Sequence, residues 1–308
     1  MEQNSEIYKN RYRNFILISI IPAMILYIVF MIYPIAETLY YSLFHWAGFS
    51  PDMDYVGISN YLELTGDSLF ITTVITSLKY VFLGGFIILG ITLLFTYAIN
   101  NFKSERLKSV VQMILFVPNT ISPVALALLW GFILNTRWGL LNTTLSTIGL
   151  ETLTRGWMGD DYIFGAALSL LVWIHVGFFI VIFVAATDRI PNSLYESAEL
   201  DGASSLDKFT KITFPLIKDI LEVCMVLWTI FSFKIFGYLH VFGAGTGAGQ
   251  AHVGIRNISV QLYLTAFGRR TAINRVGYAS AMAIVLLILL AILVYAIKKI
   301  MAVEPVEY

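Results

Sequence analysis

Six apolar stretches constrain this 308-residue chain more than any motif in it: they lie near Phe15–Tyr33, Tyr80–Ile99, Val110–Leu134, Tyr162–Ala186, Leu216–Phe236 and Tyr278–Met301. Each is long enough to cross a bilayer, which takes about 20 residues of helix. The expected fold class is therefore all-α, a polytopic membrane protein with about six transmembrane helices. The first stretch follows Lys9, Arg11 and Arg13, as a secretion signal would. It is too long for one and lacks a small-residue cleavage site, so it reads as a retained helix.

Composition agrees. At 58% hydrophobic residues, the chain exceeds the roughly 45–50% of soluble domains. A formal net charge of zero and the lack of a long basic run argue against a nucleic-acid surface. The single cysteine, Cys224, sits in an apolar run, has no partner for an internal disulfide and reads as packing. Lysines and arginines set the orientation. Lys9, Arg11, Arg13, Lys103, Arg106, Lys108, Arg189, Lys208, Lys211, Lys218, Lys298 and Lys299 fall on one side, which makes that side, with both termini, cytoplasmic. Arg137, Arg155, Arg256, Arg269, Arg270 and Arg275 fall outside, and Lys79 and Lys234 lie at or in helix ends. The fifth loop holds four of these arginines and opposes the rule.

Between the fourth and fifth stretches lies a polar island, Ile190-Pro191-Asn192-Ser193-Leu194-Tyr195-Glu196-Ser197-Ala198-Glu199-Leu200-Asp201-Gly202-Ala203, running on to Ile212-Thr213-Phe214-Pro215. Ser193 with Glu196 reads as a capping box that starts a short helix, Leu194 to Asp201. Gly202 can stop it in a left-handed conformation, and Ser204 with Asp207 offers a second cap. Pro215 suits the first turn of the apolar helix that follows. This spaced set resembles the EAA loop, the cytoplasmic signature of the inner-membrane permease subunits of binding-protein-dependent ABC importers. Glu196, Ser197, Ala198, Gly202, Ile212 and Pro215 stand where that family has Glu-Ala-Ala, Gly, Ile and Pro, with Ser197 in place of the first alanine and Phe214 where leucine is usual.

Val56-Gly57-Ile58-Ser59-Asn60-Tyr61, the series Pro118, Trp130, Gly139 and Asn142, the triplet Lys234-Ile235-Phe236 and Gly277-Tyr278-Ala279-Ser280-Ala281 are similar to the sugar-importer branch, the relatives of the maltose and glycerol-3-phosphate permeases. The run from Gly243 through Gly245, Gly247 and Gly249 departs from that branch's Gly-Gly-Pro, and Gly237 stands where aspartate is common. The resemblance implies a type I ABC importer permease fold. Residues 1–75 would hold the N-terminal segment, the first span and the first outside loop; residues 76–301 would form the core, with the EAA loop at 188–215, and residues 302–308 a tail. It also implies partners: a second homologous permease, two ATPase subunits that bind ATP and Mg, an extracytoplasmic solute-binding protein, and a sugar or oligosaccharide solute. Residues Leu194, Glu196, Ser197, Ala198, Glu199, Asp201 and Gly202 would couple to the ATPase. Leu194 and Ala198, four apart, would share an apolar ridge beside the charges of Glu196 and Glu199.

Ionisable groups within spans usually face a cavity or the bundle interior, which draws attention to His175, beside Trp173, and to Lys234, with Tyr238 four residues on. These four are the candidate solute-pathway residues. Lys234 has a second reading, snorkelling to the interface. Trp130, Trp228 and Tyr80 are aromatic groups that belong more often to packing or interfacial belts than to a sugar site. Arg256, Arg269, Arg270 and Arg275 offer a cationic outside surface for an acidic docking face of the binding protein or for an anionic solute. Asn142-Thr143-Thr144 and Asn257-Ile258-Ser259 match the glycosylation pattern by chance. The four histidines show no metal-ligand spacing, no catalytic nucleophile with its base can be assembled, and no Walker sequence occurs. An ion-gradient-driven secondary transporter or channel shares the hydropathy, but it would place acidic relays and repeats in the spans. Asp and Glu are nearly absent from the span centres.

Overall fold

The computed structural model describes residues 2–49, 51–102, 104–245, 251–268 and 275–301, with side chains from residue 15 onward. Lys103, Gly247, Gly249, Arg269, Arg270 and the tail from residue 302 lie outside the described residues. The elements in chain order are α1 (Phe15–Tyr41), β1 (Phe44–His45), β2 (Asp54–Tyr55), α2 (Ser59–Gly66), α3 (Ser68–Asn100), α4 (Glu105–Thr120), α5 (Pro123–Ile133), α6 (Leu140–Thr147), α7 (Ile163–Thr187), α8 (Asn192–Leu200), α9 (Ser205–Lys208), α10 (Lys218–Lys234), α11 (Gly237–Ala244), α12 (Ile258–Phe267) and α13 (Val276–Met301). By length and composition α1, α3, α7 and α13 can each cross a membrane, and the bent pairs α4–α5 and α10–α11 raise the number to six.

The third stretch departs from a straight span. Its two halves meet at 97° across Ile121 and Ser122, whereas α10 and α11 bend by only 43°. Pro123 at the first turn of α5 explains the break, because its ring disfavours a helical conformation for the residue before it. The second span begins well before Tyr80. Asp67 Oδ1 accepts from the amides of Leu69 at 2.8 Å and Phe70 at 3.1 Å, and so starts α3 at Ser68. The added turns are polar, but Thr73 and Ser77 hydroxyls donate to carbonyls three and four residues back and are buried.

The chain divides into two compact units, residues 67–261 with 286–308 and residues 1–66 with 262–285. In the larger unit α7 is the axis, with 67% of its apolar window buried. Gly177 lets α4 cross it at backbone contact, since a Cβ there would stand 1.8 Å from Leu115 O. Small residues do this in membranes because helices there associate by close packing. A second fixture is Trp228 on α10. A π turn at Tyr80–Gly84 in α3 leaves carbonyls looking for donors, and the Trp228 indole donates to Tyr80 O and Val81 O, both at 3.1 Å. Gly84 and Gly85 make room for its ring.

In the smaller unit β1 and β2 pair antiparallel, with Phe44 opposite Tyr55 and His45 opposite Asp54. Asn60 Nδ2 donates to Ser42 O at 2.8 Å and Phe44 O at 3.0 Å, which gives the Val56–Tyr61 motif a local task. None of the apolar window of α1 is buried within this chain.

The crossing of α4 and α7 yields a paired prediction. Gly177→Ala should lower the thermal unfolding temperature in detergent by the equivalent of about 1–3 kcal/mol, because backbone must move. Gly90→Ala, where nothing lies within 4 Å, should be neutral or slightly stabilising. Equal melting temperatures for both variants would contradict the close crossing.

Candidate functional site

The polar island folds as two short helices at a sharp turn. The first, α8, starts at Asn192 with Pro191 at its N-cap, and no side chain caps it. The capping box expected from Ser193 and Glu196 is absent. Pro191, with φ of −58°, begins the helix ahead of Ser193, which therefore lies inside the first turn. The stop is as expected. Gly202 has φ of +78°, its amide donates to Glu199 O at 3.0 Å, and Ala203 N donates to Ala198 O at 2.9 Å. That reciprocal pair is a Schellman closure. At Ser204 the second capping box forms, with Asp207 N donating to Ser204 Oγ and Ser204 N donating to Asp207 Oδ2. Hydrogen bonding by Lys211 and then by Ser204 holds the Asp207 carboxyl at about 2, below its ordinary 3.8. The stability this brings is complete above the unfolded value and is lost only as pH falls through about 2.

Pro215 does not open the long apolar helix. The chain continues from α9 through a π turn, Phe209–Thr213, into Phe214–Leu216, and α10 begins after a kink at Ile217. In this widened turn Phe214 N donates five residues back to Phe209 O, just ahead of Pro215, which has no donor of its own. Two ties fix α8 to this segment: Lys208 Nζ bonds Glu199 Oε1, and the Tyr195 hydroxyl stands 2.9 Å from Thr213 Oγ1. Tyr195 and Ala198 turn partly inward, so the expected Leu194–Ala198 ridge is not the outer face. That face carries Leu194, Ser197 and Leu200, the last 90% exposed. Leu200 escaped the sequence reading, although a bare leucine three from Ser197 and six from Leu194 completes one helical face.

Within the larger unit, His175, Lys234 and Tyr238 meet around one cavity of about 300 Å³, bordered also by Asn119, Pro123, Phe178 and Phe231. The cavity sits at both helix breaks, since Asn119 lies in the last turn of α4, Pro123 starts α5, Lys234 ends α10 and Tyr238 lies in the first turn of α11. His175 is 7% exposed. Its Nδ1 lies 2.9 Å from Leu171 O, which consumes that nitrogen, and its ring meets Trp228 edge-on at 5.3 Å. Lys234 is exposed at the C-terminus of α10, where the helix dipole favours a cation. Trp173 is not brought there. It stacks on Trp130 at 5.0 Å on another face of α7, while Trp130 Nε1 donates to Ser169 Oγ.

The two asparagines of the glycosylation-like triplets are hydrogen-bond hubs. Asn257, fully buried, donates to Ser232 O at 3.1 Å and Ile235 O at 2.7 Å and accepts from Val260 N, while Ser259 Oγ donates to Phe233 O. Together they close the open end of α10, whose last carbonyls have no helical partners. Asn142 accepts from Trp157 Nε1 at 2.7 Å and donates to Arg155 O at 2.9 Å. Arg256 spends its donors within its own loop, on Ala251 O and Gln261 Oε1. In the smaller unit Arg275 makes a bidentate pair with Glu63 and lies 4.0 Å over the Tyr278 ring. Of the four candidate docking arginines, these two are internally bonded, and Arg269 and Arg270 lie outside the described residues.

Comparison with known proteins supplies the context. The family described as binding-protein-dependent transport system inner membrane component matches residues 87–302. The probable ABC transporter permease protein YurN of Bacillus subtilis (strain 168) is 33% identical over 88% of this chain and 90% of its own length. The trehalose/maltose transport system permease protein MalF of Thermococcus litoralis is 32% identical over 83% of this chain and 85% of its own. Among solved structures, a bacterial ABC transporter involved in the import of the acidic polysaccharide alginate superposes with a TM-score of 0.77 at 23% identity, over 96% of this chain and 98% of that one. This last likeness is one of fold.

Asn257→Ala should destabilise the protein by about 1–3 kcal/mol, because it strands buried carbonyls at the end of α10. Thermal unfolding in detergent reads the effect, and an unchanged midpoint would show that those carbonyls need no cap.

Proposed function

The chain belongs to the binding-protein-dependent transport system inner membrane components, the permease subunits of ABC importers, and we propose that it supplies half of a pathway for a sugar or oligosaccharide. The observation that carries the coupling half of this reading is α8. It is a helix with an unburied leucine face, stopped by a left-handed glycine and tied back onto the following segment by Lys208 and Tyr195. Leu200, 90% exposed, and the half-exposed Leu194 lie with Ser197 on one side of this helix and offer apolar surface for a partner to cover. The proposed cover is an ATPase subunit that binds ATP and Mg, one of two in the complex; this chain carries no ATPase activity of its own. Glu196, Ser197 and Asp201 would border that contact, with Glu199 held by Lys208 as an internal brace.

The trehalose/maltose name of one relative supports the sugar class. So does the cavity, whose rings and polar tips suit a saccharide: Phe178, Phe231 and Tyr238 can lie against apolar sugar faces, while Asn119, His175 and Lys234 reach hydroxyls. Solute would arrive from an extracytoplasmic binding protein and pass between this chain and a second permease. The loops bearing Asn60 and Asn142 would face outside, and both termini with α8 would face the cytoplasm.

Gly202→Val places a β-branched residue in the left-handed region, at about 1–2 kcal/mol, with no side-chain clash because nothing lies within 4 Å. Membrane insertion should be normal and co-purification of the ATPase reduced, whereas Gly202→Asn should retain both, since asparagine tolerates that conformation. Full ATPase retention with valine would sink the coupling role.

Topology has its own check. In a Cys224→Ala background, single cysteines at the exposed Ser59 and Ser146 should react with an impermeant thiol reagent added to intact cells, and one at Ser193 should not. Labelling at Ser193 would invert the map.

A further inference from the structure

A lysine in the first turn of a helix is in the wrong place electrostatically, because the exposed amides there already carry positive partial charge. Lys108 occupies that position in α4, and its side chain is only 14% exposed. Its Nζ stands 2.8 Å from Asp188 Oδ1, with Glu105 Oε2 at 4.0 Å. Neither helix stability nor solvation accounts for an ammonium held there; the partner does. Asp188 is the C-cap of α7 and lies just ahead of Pro191, where α8 begins. Next to it Thr187 Oγ1 donates to Asn100 Oδ1 at the end of α3. These groups line one polar cleft of about 480 Å³ that also includes Tyr195, Lys208 and Thr213 from the α8 turn.

From Lys108, α4 runs roughly 16 Å, at 1.5 Å per residue, to Pro118 and Asn119. Asn119 borders the cavity shared by His175 and Tyr238. Midway the helix is pinned to α7 by the backbone contact of Leu115 with Gly177. Beyond Thr120 it is released from α5 by the 97° break. The arrangement is a helical rod, gripped at one end by the residue that leads into α8, held at a pivot, and interrupted only at Pro118 in the last turn, where it meets the cavity.

We propose that Lys108 is a positioning residue: through its ion pair with Asp188 it carries displacement of α8 into α4 and so moves Asn119 at the cavity. This rests on α8 being the ATPase-coupling helix. Without the pair, motion of α8 reaches α4 only through α7, at the Leu115–Gly177 pivot and not at the helix end. The rod has one packed arrangement against α7 in this structure, and the account requires a second, selected when the ATPase closes.

The test uses the whole complex in nanodiscs, this chain with its partner permease, ATPase subunits and binding protein, and needs no knowledge of the solute. A cysteine at position 119, in the Cys224→Ala background, reports its maleimide labelling rate without nucleotide and after trapping with MgATP and orthovanadate. The unmodified Lys108 complex should show a nucleotide-dependent change in rate. Lys108→Met and Asp188→Asn should each shrink that change by about 2-fold or more, with ATPase co-purification and hydrolysis retained, and Lys108→Arg should preserve it. Combining the Met and Asn substitutions should add little to either alone. The proposal is overturned if the change survives in Lys108→Met, if Lys108→Arg loses it equally, or if both single variants lose the ATPase altogether, which would make the pair a structural clasp. Absence of the ATPase from the complex with Lys108 intact would instead overturn the coupling role of α8, so the two failures are told apart.

Discussion

In hydrocarbon, each backbone N–H and C=O must find a partner inside the protein, and that requirement governs this chain wherever its helices are interrupted. The π turn in α3 is answered by the Trp228 indole, and the end of α10 by Asn257 and Ser259. Both solutions use side chains distant in sequence, so they also lock elements together: Trp228 ties α10 to α3, and the Asn257 turn ties the start of α12 to the end of α10. Interruptions that are capped in this way can border a cavity without leaving polar backbone in lipid. The larger unit does that at the junction of α10 with α11, and the cavity there also meets the break between α4 and α5, where Asn119, His175, Lys234 and Tyr238 converge.

The same logic separates groups that stabilise from groups free to act. Arg256 and Arg275, which sequence presents as unexplained positive charge, are consumed by Ala251, Gln261 and Glu63. Asn142 and Asn257 are buried hubs. Leu194 and Leu200, by contrast, stay exposed among the described residues, and α8 is built rigidly enough to present them. A Schellman stop, a capping box and two side-chain ties surround a helix of nine residues. Rigidity of that kind suits an element that must transmit a push.

Much of this was legible in the sequence where a rule is local. Apolar length located the spans, and Gly202 and Ser204 with Asp207 marked the turn, because left-handed backbone and capping boxes depend on residues a few positions apart. The reading failed where a neighbour competed. Ser193 and Glu196 fit a capping box, yet Pro191 started the helix first. Val110–Leu134 read as one straight span because hydropathy is blind to direction, although Pro123 held the clue to the bend. Leu200 sits among charged neighbours, and nothing local marks a leucine at a helix end as exposed. Long-range pairings such as Lys108 with Asp188, or Arg275 with Glu63, have no signature in a single sequence, since nothing local distinguishes a solvated charge from a paired one.

The central claim, that α8 is covered by an ATPase subunit, is most directly tested by a photo-crosslinking amino acid at Leu200 in native membranes. The account predicts one dominant adduct with the mass of this chain plus the ATPase subunit, and none from the same probe at Leu140, which the proposed topology puts across the membrane. An adduct at Leu200 with lipid or with the binding protein, and none with the ATPase, would contradict it.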